Sequence, residues 1–229
     1  MKNNSLNLNT SYHQFEIDLT LEEFKKYHMF IEDFLEKEKN ELDKAYTIKL
    51  SQLEKNDNDG YSKILEEHFN KREHIIDLFP HNFRASFLIQ IVTFIESTLF
   101  SICLQYEAVN NTKYSIQDLK GNSDMEKAKM YLSKSCGVTF EKLNPEWQFI
   151  LVLKKLRNSL IHNQGHVKKN EKDWTILNNF NSKNEYYKFG HISEYNEAPR
   201  FILKSKKLTE HSLIITEKFF CKLLNQIDY

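Results

Sequence analysis

The sequence predicts an all-α fold, and three observations carry that prediction. Only 5 Gly and 3 Pro interrupt 229 residues, so turn-makers are scarce. Leu, Ile, Lys and Glu recur at spacings of three and four, the period of a helix face. Hydrophobic residues make up 40% of the chain, enough for a sizeable buried core. The expected architecture is a helical bundle with a long N-terminal helical hairpin and a small β-hairpin flap before the last helix.

Taken in order, residues 1–19 are Asn-rich and polar and read as a loose arm. From Leu21 to about Lys55, Phe24, Ile31, Leu35, Leu42 and Ala45 keep a helical period, with charged residues between them. The run Asn56-Asp57-Asn58-Asp59-Gly60 breaks that helix, and Tyr61 to Phe79 resumes the period as far as Pro80. Residues 1–79 therefore read as an arm and an antiparallel hairpin packed on the same domain as residues 80–229. Asp57, Asp59, Gly60 and Glu66 fall at positions 3, 5, 6 and 12 of a calcium-binding EF-hand loop, but Lys55 stands where the leading carboxylate must be. The segment reads as a turn.

A second long helix runs from near Asn82 to about Glu107, apolar on several sides and hence central. Two charges interrupt it, Arg84 and Glu96. A carboxylate among phenylalanines needs a partner, and Arg84 and Arg157 are both candidates for Glu96. A short helix follows over Met125–Ser135, then a turn at Gly137. Pro145 marks the first turn of the next helix, which extends to Asn163 before Gly165. Tyr186–Ile192 and Arg200–Lys204 read as two short strands of a flap. Thr209 to Ile227 closes the chain as an amphipathic helix.

The formal net charge is zero, with 32 residues of each sign, which argues against a protein that coats nucleic acid by bulk electrostatics. The signs are unevenly placed: residues 1–79 hold 11 Lys/Arg against 17 Asp/Glu, and the rest holds 21 against 15. Lys154, Lys155, Arg157, Lys168, Lys169 and Lys172 form a basic cluster in which Glu171 is the nearby acid. The cysteines Cys103, Cys136 and Cys221 are far apart, form no CxxC pair and suit a reducing compartment. No uninterrupted apolar run approaches the roughly 18 residues of a membrane span, and the first thirty residues lack a secretory pattern. The expectation is a cytoplasmic protein with no membrane contact.

The helix that begins at Pro145 carries most of the functional signal. Phe149, Val152, Leu153, Leu156 and Leu160 share one face, suited to the chain's own core. Nearly opposite lie Trp147, Leu151, Asn158 and His162, which predicts a second covered face and hence a homodimer. Arg157 sits on the flank, roughly 140° around from His162. Taken singly, each residue has an ordinary structural role: a histidine near a helix C-terminus favours the helix dipole, and Arg157 can simply pair with Glu96.

Together, Leu-Arg-Asn-Ser-Leu-Ile-His-Asn over residues 156–163 resembles the signature of the HEPN domain superfamily, an Arg and a polar residue followed by His five positions after the Arg. The resemblance covers residues 80–227. It implies an all-helical fold and a homodimeric endoribonuclease that needs no metal or cofactor, with Arg157, Asn158 and His162 in the catalytic positions. Lys154 and Lys155 would then meet substrate, and Glu96 would orient Arg157. RNA supplies its own nucleophile in the 2′-hydroxyl, so cleavage needs a base, an acid and positive charge on the phosphorane. One His162 cannot be base and acid at once, and a second copy would bring the second imidazole and a second Arg157.

The same resemblance implies a toxin or antiphage effector, with RNA and an antitoxin or other defence-system protein as partners. Gln164 stands where the toxins controlled by a nucleotidyltransferase antitoxin have Tyr, which weakens that mode of control here. A non-catalytic HEPN-like module that binds a nucleotide, an RNA or a protein is the alternative, since Arg157 and His162 would serve equally as phosphate ligands. His162 and His166 as a zinc pair lack a third ligand at suitable spacing and are split by Gly165. Ser159 lacks the pattern of a hydrolase nucleophile.

Overall fold

Apolar stripes at helical spacing sort this chain into helices that pack around one central helix. The computed structural model describes residues 3–53, 57–121, 123–190 and 197–227, with side chains from residue 12 onward. Helix α1 (Asn3–Ser51) runs 49 residues, about 73 Å at the usual rise. Its inner stripe, Ile17, Leu21, His28, Glu32 and Leu35, is buried. The loose arm expected over residues 1–19 is therefore helical from Asn3, because Ile17 and Leu21 continue the buried period of the residues that follow. The opposite side of α1 is also apolar yet exposed, with Phe15, Phe30 and Phe34 more than half accessible.

Helix α2 (Asn58–Glu73) starts at the expected turn, where the Asp57 carboxylate accepts a hydrogen bond from the Gly60 amide at 2.8 Å. A side chain at Gly60 would collide with that carboxylate, which explains the glycine. Lys55 lies outside the described residues. The predicted stop at Pro80 is absent: a π-helical turn (His74–Leu78) joins α2 to α3 (Phe79–Asn110) without a break. The Phe79 amide donates back to the His74 carbonyl, five residues earlier, and Pro80 falls in the first turn of α3. The wider turn takes up the proline where a tighter helix would have clashed.

Helix α3 is the core helix. Phe87, Leu88, Ile91, Val92, Ile95, Leu99, Ile102 and Cys103 are buried along it. It packs against α1, α4 (Asp124–Ser135), α5 (Asn144–Asn163) and α7 (Lys207–Leu224). The helical run Asn58–Asn110 holds a stretch long and apolar enough by composition to cross a membrane, although Gln90, Thr93, Glu96 and Ser97 interrupt its apolar residues. Within the bundle 44% of that stretch is buried.

Arg84 of α3 does not pair with Glu96. Its Nε and Nη2 donate to the two oxygens of Glu32 at 2.7 and 2.6 Å, and Nη1 donates to the Leu203 carbonyl at 3.1 Å. This buried two-pronged pair ties α1 to α3 and to the segment before α7. The N-terminal hairpin is thus fastened to the rest of the fold through charge as well as apolar packing.

Helix α6 (Lys172–Asn184) was not foreseen from the sequence. Strands β1 (Lys188–Phe189) and β2 (Phe201–Ile202) pair antiparallel, with Lys188 opposite Ile202 and Phe189 opposite Phe201. The flap is therefore present but shorter than predicted, and the expected strand residues 191–192 lie outside the described residues.

Candidate functional site

Helix α5 positions the site. Phe149, Ile150, Leu153 and Leu156 bury one side against α3 and α7, which fixes the rotation of the helix and turns Asn158 and His162 outward. Trp147 does not belong to an open second face. It is 2% exposed, packed edge-on to Phe140 and stacked on Phe219, with the Lys129 ammonium over its ring. The N-terminal turn of α5 is covered by the segment before it and by α7, so the aromatic anchor expected at a dimer interface is spent inside the protomer. Half-buried Leu151 and exposed Ile161 remain as apolar groups on that side.

The outer ridge of α5 has two flanks. On the first, Glu96 of α3 reaches up between Lys154 and Arg157, with carboxylate oxygens 3.8 Å from Lys154 Nζ and 3.9 Å from Arg157 Nη2. These separations mark charge attraction rather than tight hydrogen bonds. Arg157 Nη1 donates to Asn158 Oδ1 at 3.0 Å, and its buried Nε has no hydrogen-bond partner among the described residues. The guanidinium is held at one end by Asn158 and Glu96 and retains donor capacity.

On the second flank, Lys155, Asn158 and His162 line a cleft of about 110 Å³ together with His166, Glu171 and Asp173. Lys155 Nζ donates to Asp173 Oδ1 at 2.5 Å. Asn158 is the bridge, since it borders the cleft that holds His162 and also orients Arg157. Arg157 and His162 thus sit on opposite sides of one asparagine.

The chain leaves α5 by a tight reversal. Gln164 and Gly165 both adopt positive φ, +53° and +83°, and the Gly165 amide returns to the Ser159 carbonyl at 2.9 Å. Ser159, 8% exposed, donates its hydroxyl to the His166 carbonyl at 3.0 Å. Its hydroxyl fixes the loop and is not presented as a nucleophile.

Sequence reasoning selected Arg157, Asn158, His162, Lys154, Lys155 and Glu96, and the fold gathers all six along the outer ridge of α5 and its edge with α3. It missed Asp173 and the second contact of Glu96, with Lys154. Glu96 faces Lys154 and Arg157, and Asp173 holds Lys155, so Glu171 is not the lone counter-charge. Asp173 was legible only once α6 was recognised. His166, considered beforehand only as a metal ligand, joins His162 in the cleft. Among the described residues there is no group of three or more His, Cys, Asp or Glu placed to hold a metal ion.

No family model, curated protein or solved structure matches the chain significantly.

Proposed function

We propose that the chain is a metal-independent endoribonuclease of HEPN type that works in the cytoplasm as a homodimer, in the role of a toxin or antiphage effector. The observation that carries this reading is the junction at Asn158, which orients Arg157 on one side and borders the His162 cleft on the other. A phosphodiester laid across Asn158 would meet a guanidinium with donor capacity and an exposed imidazole, the two groups that RNA cleavage through the 2′-hydroxyl requires.

In this mechanism Arg157 neutralises charge on the phosphorane, His162 transfers a proton, and Asn158 keeps both in register. Glu96 limits the swing of Arg157 from behind. Lys154 and Lys155 contribute to substrate binding only on exchanging Glu96 and Asp173 for phosphate. A second copy would meet this ridge over Leu151, Asn158 and Ile161.

One observation favours the alternative of a non-catalytic module for a nucleotide, RNA or protein: Lys154, Lys155 and Arg157 all have acidic neighbours already, which suits a site that exchanges ligands. The two readings separate with Arg157→Ala and His162→Ala. The ribonuclease reading expects each variant to stay folded and to lose at least about 100-fold in RNA cleavage. Wild-type cleavage rates in the His162 variant would refute the HEPN-type mechanism, whereas a folded wild type that binds RNA without cutting it would leave the binding module.

A further inference from the structure

Resting on the ribonuclease reading, we infer that His166 is the second proton-transfer group of the site, so that base and acid both come from one protomer. Two histidines four apart normally share a helix face, but here the helix ends between them. The reversal at Gln164 and Gly165 brings the chain back along the C-terminal turn of α5, and His162 and His166 line the same cleft.

His166 is held at its backbone and at its ring. Its amide donates to the Asn163 carbonyl at 2.9 Å, its carbonyl accepts from the Ser159 hydroxyl at 3.0 Å, and it forms an antiparallel bridge with Arg200. The ring Nδ1 lies 2.8 Å from the Ala198 carbonyl oxygen. A carbonyl only accepts, so Nδ1 carries the proton and the neutral ring keeps its lone pair on Nε2. The residue is exposed, which leaves that atom accessible to a ligand. A backbone carbonyl that fixes the tautomer and orientation of an imidazole is the arrangement a general base needs.

The step balances within one protomer. His166 Nε2 takes the proton of the 2′-hydroxyl while the 2′-oxygen forms its bond to phosphorus. The bond from phosphorus to the 5′-oxygen breaks, and protonated His162 gives its proton to that oxygen. The products are a 2′,3′-cyclic phosphate and a 5′-hydroxyl, and proton exchange with water resets the two rings. The second imidazole need not come from a second copy, and the role of the dimer is then support of the ridge.

His166→Asn tests this, because the asparagine amide can still donate to the Ala198 carbonyl while no ring nitrogen remains to act as base. With a short RNA substrate, the variant is expected to lose at least about 100-fold in kcat with little change in KM, and to lose the rising acidic limb of the pH–rate profile. A substrate with a 5′-thiolate leaving group, which needs no protonation, should restore cleavage by His162→Ala and not by His166→Asn. Mixing the two inactive variants should give no recovery. Wild-type rates in His166→Asn, or recovery on mixing, would overturn the assignment.

Absence of cleavage by the wild type would instead refute the ribonuclease reading, and the cleft can then be tested alone. Inorganic phosphate, followed by NMR of the imidazole rings, should shift the signals of both His162 and His166. A shift confined to His162, or no shift, would overturn the shared cleft.

Discussion

Replacing Arg84 by methionine is the sharpest test of how the N-terminal hairpin is fastened. Arg84 and Glu32 are 7% and 8% exposed, and the substitution removes two charge-assisted hydrogen bonds at 2.7 and 2.6 Å together with the donor to the Leu203 carbonyl. Glu32 is left as a buried carboxylate with the His28 ring 3.7 Å away, and burial holds the pKa of that histidine below its ordinary value despite the neighbouring carboxylates of Glu32 and Glu210. The ring is a poor replacement for a guanidinium. Breaking one side of such a pair costs about 3–5 kcal/mol, a large part of the roughly 5–15 kcal/mol that holds a domain together. For a chain of this size that corresponds to a fall in Tm of roughly 6–20 °C. Urea unfolding followed by circular dichroism measures the loss directly. The double variant Glu32→Met, Arg84→Met removes both charges and should recover most of it. A single variant that loses less than about 1 kcal/mol, or a double variant less stable than Arg84→Met, would refute the reasoning.

Three further outcomes follow from particular residues. Burial, together with the guanidinium groups of Arg200 and Arg84, pushes the His81 imidazole down to about 4. Its folded value lies below its unfolded one, so its contribution is fully present above pH 6.5 and is lost as pH falls toward 4; a pH series of unfolding free energies should show a loss of about 3 kcal/mol that His81→Asn lacks. Trp147→Ala should lower stability by about 3–5 kcal/mol at fixed oligomeric state, because its contacts lie within the protomer, and dissociation of a still-stable chain in sedimentation would contradict that placement. Asp57→Ala should cost about 1 kcal/mol through loss of the cap at α2, measured as a small shift of the urea midpoint.

Much of the fold was legible because its signals are local. The turn at Asp57 to Gly60, the helix from Asp124 to Ser135 and the extent of α5 follow from the Asn/Asp/Gly breaker, proline placement and apolar period, and each is found within a residue or two of its expected position. The misses have physical causes. Pro80 normally argues for a stop, but a π-helical turn made room for it, and nothing local announces such a turn. Asparagines and a tryptophan give α6 a weak helical pattern, and its formation depends on Leu177 and Phe180 finding the core. Residues 1–19 look polar by composition, whereas two apolar residues at the right spacing, Ile17 and Leu21, fasten that end of α1.

The candidate site was legible as a set of residue types and not as a geometry. Spacing placed Asn158 and His162 one turn apart, and charge logic demanded a partner for Glu96 without choosing between Arg84 and Arg157. The choice depends on the helix crossing, which puts Glu96 beneath Lys154 and Arg157 and sends Arg84 to Glu32. Trp147 was misjudged because angular position on α5 says nothing of what covers the first turn. The approach of His166 to the cleft depends on two successive residues of positive φ, one of them Gln164, which composition does not reveal.

The most direct test of the central claim is incubation of purified protein with mixed cellular RNA in EDTA, followed by analysis of the product ends. The account predicts cuts without metal that leave 2′,3′-cyclic phosphates and 5′-hydroxyls. Intact RNA after incubation with folded protein, or products bearing 5′-phosphates, would contradict it.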